Sequence, residues 1–270
     1  CNKCVRVCPV KAIRFINNEA KIDETRCIAC GQCFMACPRH ARNVQNDVDK
    51  VLRELDSGKK TVAILDSAYM GALKEPEKFI SALRTLGFSS VQEIAAASEK
   101  VTELYINYMN ENAGKQKYFI SSTCPAIYIF IEKYHHELIK YLMPVASPMV
   151  LLGRAIKKDD PDCTAVYIGP CLSKKYETYP KEGAEVDAHI TFVEILKMFR
   201  KKGIYIDDME PSVPDVVPAL SGENYSIAGD MWPSLTETVE KHGYDILSVN
   251  GMDNVKQLFE SMENLTLCDW

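Results

Sequence analysis

No stretch of this sequence stays apolar for the roughly 20 residues that a membrane-crossing helix needs, which excludes a spanning helix. No signal peptide is visible in the residues at hand, and the expectation is a cytoplasmic protein. An excess of charge of one sign is also missing, since 32 Lys and Arg stand against 37 Asp and Glu. No basic stripe interleaves with aromatic residues, so the electrostatic footprint of a nucleic-acid partner is absent. What remains is an ordinary globular composition, 47% hydrophobic over 270 residues, enough to bury a sizeable core in one or two domains.

Cysteine, by contrast, is concentrated at one end. Seven of the eleven fall in the first 37 residues, a clustering that points to metal chemistry in a reducing compartment rather than to a disulfide scaffold. Cys27, Cys30, Cys33 and Cys37, followed by Pro38, read C-x2-C-x2-C-x3-C-P. In bacterial two-cluster ferredoxins this spacing closes three thiolates on one 4Fe-4S cubane and sends the fourth to a second cubane. Cys1, Cys4 and Cys8 before Pro9 repeat the last three members, and counting back places the missing first cysteine three residues before Cys1. The expectation is two 4Fe-4S clusters with crossed ligation. Cys27, Cys30 and Cys33 take Cys8 as their fourth ligand, while Cys1, Cys4 and a preceding cysteine take Cys37. A zinc ribbon would use two C-x2-C knuckles with a longer spacer and has no use for successive x2 spacings ending in Cys-Pro.

Along the chain, residues 1–41 read as the cluster module and 42–59 as a connector, with Val48, Val51, Leu52 and Leu55 at helical spacing. From residue 60 onward, strands at 60–66, 90–94, 118–122 and 164–169, a weaker one at 225–228 and a last one from Asp245 alternate with helices at 76–86, 99–109, 125–142 and 191–202. A final helix runs to Met262. This alternation predicts an α/β domain of two lobes with mostly parallel sheets. His135 and His136 sit mid-helix with no assigned role, the run 157–160 reads as a solvated loop, and Cys163 as an ordinary thiol.

Two other cysteines stand where strands end: Cys124 in Ser121-Ser122-Thr123-Cys124-Pro125, and Cys171 in Gly169-Pro170-Cys171-Leu172-Ser173-Lys174-Lys175-Tyr176-Glu177. Ligands of open α/β sheets collect at carboxyl strand ends, and Lys174 supplies a cation there. At these residues nearly the whole chain resembles the iron-only (FeFe) hydrogenases, a ferredoxin-like two-cluster module followed by an H-cluster domain. Family motifs Thr-Ser-Cys-Cys-Pro and Met-Pro-Cys-x-x-Lys-x-x-Glu have their counterparts here in order. The resemblance implies that Cys124 and Cys171 are two of four thiolates on the cubane of the H-cluster. It further implies that Lys174 contacts a cyanide of the di-iron part, that Glu177 completes the motif, and that Ser147 with Pro148 lies beside the site.

The departures are as informative. Thr123 replaces the family's proton-relay cysteine, and a threonine hydroxyl does not titrate near neutrality as a tuned thiol can. Gly169 replaces methionine, Pro125-Ala126-Ile127 replaces Pro-Gly-Trp, and Asp66-Ser67-Ala68 replaces an Ala-Pro-Ala segment. The third motif, Cys-x-Gly-Gly-Cys, is not present in full; the resemblance implies Cys268 as its first cysteine, with Trp270 where glycine is expected. The resemblance therefore implies a chain truncated at both ends, with a complete H-cluster only in the full-length protein. It implies the sensory or regulatory branch of the family, taking electrons from a ferredoxin-like partner, responding to hydrogen or protons, and often joined to a signalling domain. Two alternatives are a catalytic hydrogenase and an iron-sulfur cluster carrier or assembly protein without a di-iron centre.

Overall fold

The computed structural model describes residues 1–17, 19–178, 185–216 and 232–262. The N-terminal module has short helices α1 (Lys3–Val7) and α2 (Gln32–Met35), separated by an antiparallel hairpin of β1 (Ile13–Ile16) and β2 (Glu19–Ile22). The hairpin carries little sequence signal, because only Ile13 of its first strand is buried and no clean alternation marks it. The connector is helical as expected, α3 (Val48–Asp56), with Val51 and Leu52 buried.

Strand β3 (Thr61–Leu65) is buried throughout and is followed by α4 (Tyr69–Ala72), α5 (Pro76–Leu86) and β4 (Ser90–Glu93). Pro76 starts α5, where its missing N–H costs nothing, and Gly87 at φ 118° ends it. Next come α6 (Ala95–Asn112), α7 (Pro125–Tyr134), a 3-10 turn at His136–Tyr141, α8 (Pro148–Asp159), β5 (Thr164–Ile168), a 3-10 turn at Leu172–Tyr176 and β6 (Ala188–Ile190). After these lie α9 (Phe192–Lys202), a 3-10 turn at Ile206–Asp208, α10 (Trp232–Lys241) and α11 (Met252–Met262).

The four longer-range strands form one parallel sheet in the order β4-β3-β5-β6, with Leu65 opposite both Glu93 and Ile168. Period-2 alternation divides its faces. Ala63, Leu65, Val166 and Ile168 pack with α3, α5 and α9, whereas Val62, Ile64, Ala165 and Tyr167 pack with α6 and α8. From β3 the chain leaves toward β4, and from β5 toward β6, so the crevice between the carboxyl ends of β3 and β5 is a topological switch point.

Several expectations need correction. The segment 118–122 is not a strand but makes a single bridge, Ile120 to Leu142. The helix expected over 125–142 breaks at His135, whose ring packs edge-on against Phe130 and Phe259, so this histidine is a helix terminus rather than a mid-helix residue. Residues Lys157, Lys158 and Asp159 belong to the last turn of α8 rather than to a loop, and Lys157 pairs with Asp187 at 2.7 Å. No strand forms at 245–250. β6 and α8 went unexpected: three residues are too few for a periodic signal, and Gly153 interrupts the helical pattern where α8 presses on the Glu185 carbonyl. The strand expected at 225–228 and Cys268 lie outside the described residues.

Helix α9 is held by a complete capping box. Thr191 Oγ1 accepts the Glu194 amide at 3.2 Å, and Glu194 Oε2 accepts the Thr191 amide at 2.7 Å. Thr191→Ala should lower stability by about 1 kcal/mol and Thr191→Ser by much less, read as urea midpoints at constant slope.

Candidate iron-sulfur centres

In the N-terminal module, Cys8, Cys27, Cys30 and Cys33 line one common recess, together with Gly31 and Ile28. These are the four residues expected on one cubane. Among the described residues no three His, Cys, Asp or Glu side chains are close enough to hold a single ion; thiolates at the corners of a cluster stand farther apart. The backbone wraps the recess in unusual conformations, with Ala29 at φ 53° and Gly31 at φ 74°. This turns amides toward sulfur: Ala12 N donates to Cys8 Sγ at 3.2 Å and Ala29 N to Cys27 Sγ at 3.4 Å. Burial pushes the Cys30 and Cys33 thiols up, a cost that coordination to iron removes because metal binding takes the thiolate.

The remaining module cysteines stand apart from that recess. Cys4 is buried and Cys1 exposed, and Cys37 accepts the Ala41 amide at 3.4 Å, the leading reason its thiol is held below the ordinary range. Arg42 donates to Cys4 Sγ at 3.7 Å and to the Ala20 carbonyl at 2.8 Å, and its charge also reaches Cys33 and Cys37.

The second site lies at the switch point. Cys171 follows β5 and opens the 3-10 turn, and Cys124 is the N-cap of α7 with Pro125 as its first helical residue. The Cys171 thiol is near enough that its charge raises Cys124, and Lys174 acts on Cys124 in the opposite sense. Desolvation is nonetheless the largest effect and pushes Cys124 up, although part of the residue reaches solvent. Lys174 Nζ lies 3.6 Å from Glu177 Oε2, with side-chain exposures of 14% and 8%. Ser147 joins this pair: its hydroxyl donates to Glu177 Oε2 at 3.1 Å and accepts the Val150 amide at 3.4 Å, capping α8. Burial pushes Glu177 up, and Lys174 and Ser147 pull it back. The structure thus brings Cys124, Cys171, Lys174, Glu177 and Ser147 together.

Thr123 does not stand alone beside them. Its hydroxyl is 3.0 Å from Ser121 Oγ, which is 3.1 Å from the hydroxyl of the fully buried Tyr105; that oxygen accepts the Ser122 amide at 3.1 Å. Ser122 Oγ closes the chain on the Val145 carbonyl at 2.7 Å. A row of neutral hydroxyls therefore fixes the loop that carries Cys124.

Sequence reasoning missed three further contributors. Tyr167 donates to Asp66 Oδ2 beneath Lys174, whose Nζ lies 5.8 Å from the Tyr167 ring centre. Gly169 is required by this pair, because a Cβ there would come within 2.6 Å of the Tyr167 hydroxyl. His189 on β6 stacks edge-on against Tyr167 and bonds the Gly169 carbonyl through Nε2 at 3.1 Å, which holds the approach to Cys171. The third contributor is Leu172. An added Cβ on Gly31 would lie 2.9 Å from Leu172 Cδ1, so the Cys30–Cys33 loop rests directly on the residue after Cys171.

The donor set suits a thiolate-ligated cluster at this second site. Two thiols and a cation converge, and Ser67 Oγ and Ser173 Oγ, just past β3 and β5, are buried without a partner and would be satisfied by acceptor atoms of a bound group.

Residues 59–267 match the iron only hydrogenase large subunit, C-terminal domain, and residues 1–62 match a 4Fe-4S dicluster domain. A periplasmic [Fe] hydrogenase large subunit of Nitratidesulfovibrio vulgaris is 26% identical over 88% of this chain and 73% of its own length. A cytosolic Fe-S cluster assembly factor of Kluyveromyces lactis is 37% identical over 33% of this chain, and one from Vanderwaltozyma polyspora is 29% identical over 67%. The chain spans only 18% and 36% of those two assembly factors. Among solved structures, an [FeFe]-hydrogenase from Chlamydomonas reinhardtii superposes with a TM-score of 0.57 at 19% identity, covering 73% of this chain and 58% of its own. The chain belongs to the iron-only hydrogenase large-subunit family. It is a hydrogenase-like iron-sulfur protein, and no helix among the described residues is long and apolar enough to cross a membrane.

His189 gives a test of the sheet-edge network. Burial, the largest cause, and the neighbouring Lys175 charge push its pKa down from 6.5 to about 3. The folded state therefore disfavours the protonated ring. The stability from a neutral His189 is fully present above about 6.5 and is lost as pH falls from there toward about 3, with a slope of about 1.4 kcal/mol per pH unit. Urea midpoints between pH 7 and 4 should show this slope in the wild type and a shallower one in His189→Asn.

Proposed function

We propose that this protein carries electrons through its cysteine-rich module to a metal cluster held by Cys124 and Cys171, and that it reports hydrogen or redox state with slow or no hydrogen turnover. The observation that carries this reading is the contact of Gly31 with Leu172, which sets the Cys30–Cys33 loop against the residue beside Cys171. Electron transfer needs such proximity. Cys8, Cys27, Cys30 and Cys33 would hold one 4Fe-4S cluster; Cys1, Cys4 and Cys37 would contribute to the other; Cys268 would join Cys124 and Cys171. The H-cluster, where assembled, supplies the hydrogen chemistry.

The protein's own residues set the pace. Lys174 and Glu177 keep a buried charge pair beside Cys171, and Ser147 fixes the carboxylate. At Thr123 a hydroxyl hydrogen-bonded to Ser121 stands where a proton must be exchanged, and it does not ionise near neutral pH. A positioned acid or base contributes about 10²–10⁴-fold. The redox partner is a low-potential donor of the ferredoxin kind.

A second reading, favoured by the assembly-factor relatives, is an iron-sulfur cluster carrier or assembly protein lacking the di-iron centre. The buried Lys174–Glu177 pair weighs against it, since a carrier has no cyanide to hold. Infrared bands of bound carbon monoxide and cyanide distinguish the two: their absence in a sample holding iron beyond two cubanes would leave the carrier reading. In a sample with those bands, Thr123→Cys should raise hydrogen turnover with an artificial electron donor by about 10²-fold or more. Unchanged turnover would remove the missing thiol as the cause of slow chemistry.

A further inference from the structure

The hydrogen bonds to the cluster sulfurs differ in kind. Those on Cys8, Cys27 and Cys37 come from the backbone amides of Ala12, Ala29 and Ala41. The bond on Cys4 comes from a guanidinium, Arg42 Nη2 at 3.7 Å, whose charge also reaches Cys37 and, without a hydrogen bond to its sulfur, Cys33 of the other set. The same nitrogen is 2.8 Å from the carbonyl of Ala20 on β2, so the side chain is tied at a second point and does not sweep through solvent. Lys133 and Lys256 also approach the module, but they donate to the carbonyls of Glu24 and Cys27 and of Pro9, not to sulfur.

A backbone amide lends sulfur a partial charge, whereas a guanidinium lends a whole one that no accessible pH removes. Charge-assisted hydrogen bonds are the stronger kind. Cluster potential follows net charge, hydrogen bonds to sulfur and exposure, and a nearby cation favours the more negative, reduced state. We propose that Arg42 raises the reduction potential of the cubane that Cys4 ligates above that of the cubane on Cys8, Cys27, Cys30 and Cys33. This rests on the cluster assignment above. A single electron entering the module then rests on the Cys4 cubane, and only a second one populates the cubane that adjoins Leu172.

The test is a redox titration followed by EPR on the protein with both clusters assembled, comparing wild type with Arg42→Gln and Arg42→Lys. A Cys4→Ser variant assigns the signal of the Cys4 cubane. In Arg42→Gln, which keeps an amide donor but no charge, the reduced-to-oxidised ratio of that cubane at fixed potential should fall about tenfold, or about 59 mV for a one-electron couple. The other cubane should move less, and Arg42→Lys should retain most of the wild-type value. An unchanged midpoint, or equal shifts of both clusters, overturns the proposal. Iron and acid-labile sulfide are counted on every sample. Wild type with less than two cubanes' worth of iron fails the cluster assignment instead, whereas iron lost from both Arg42 variants makes the residue a structural one and overturns the proposal.

Discussion

The arrangement depends on one packing constraint: the cysteine-rich module has no adequate core of its own and completes one by sharing apolar residues with α7 and α11. Cys4, Cys8, Val10, Ala12, Ile13 and Ile28 are buried in the same cluster as Ile129, Phe130, Ile131, Val255 and Phe259. A module of about 40 residues buries too little surface to stand alone without metals or such a partner. The polar contacts at its edge add direction. Lys133 binds the Cys27 carbonyl at 2.7 Å and Tyr134 the Arg26 carbonyl at 2.8 Å, both from the end of α7 opposite Cys124. One helix therefore touches the cysteine motif at one end and carries Cys124 at the other.

The sheet provides the second half of the geometry. Because β3 and β5 are neighbours whose chains depart in opposite directions, Asp66 and Cys171 emerge beside an open crevice. Tyr167 and Asp66 fill the ground beneath it, and this is possible only because residue 169 is glycine. Gly169 and Asp66 thus belong to one packing arrangement rather than two.

The sequence made some of this legible and hid the rest for physical reasons. Cysteine spacing carries its own geometry, so Cys8 with Cys27, Cys30 and Cys33 could be grouped before any fold was known. Strongly apolar strands such as Thr61–Leu65 and well-capped helices such as Pro76–Leu86 were equally readable. Edge strand β6 is too short for periodicity, and at the break His135 packs its ring against Phe259, more than 120 residues away. The hydroxyl row from Thr123 to Tyr105 joins segments whose relation only tertiary structure sets. Long-range contacts leave no local signature, and Arg42 and His189 belong to that class.

The closure of the first module by α11 has a bearing on biosynthesis. Lys256 grips the Pro9 carbonyl, and Phe259 stacks on Phe130, so the N-terminal core waits for residues made nearly 250 positions later. Contacts of such sequence separation form late because a long loop must close first. On the ribosome the cysteines emerge early, in a module that cannot yet bury Cys4 and Cys8. In the nascent chain the apolar core around Cys4 and Cys8 is therefore completed only when translation has passed α11.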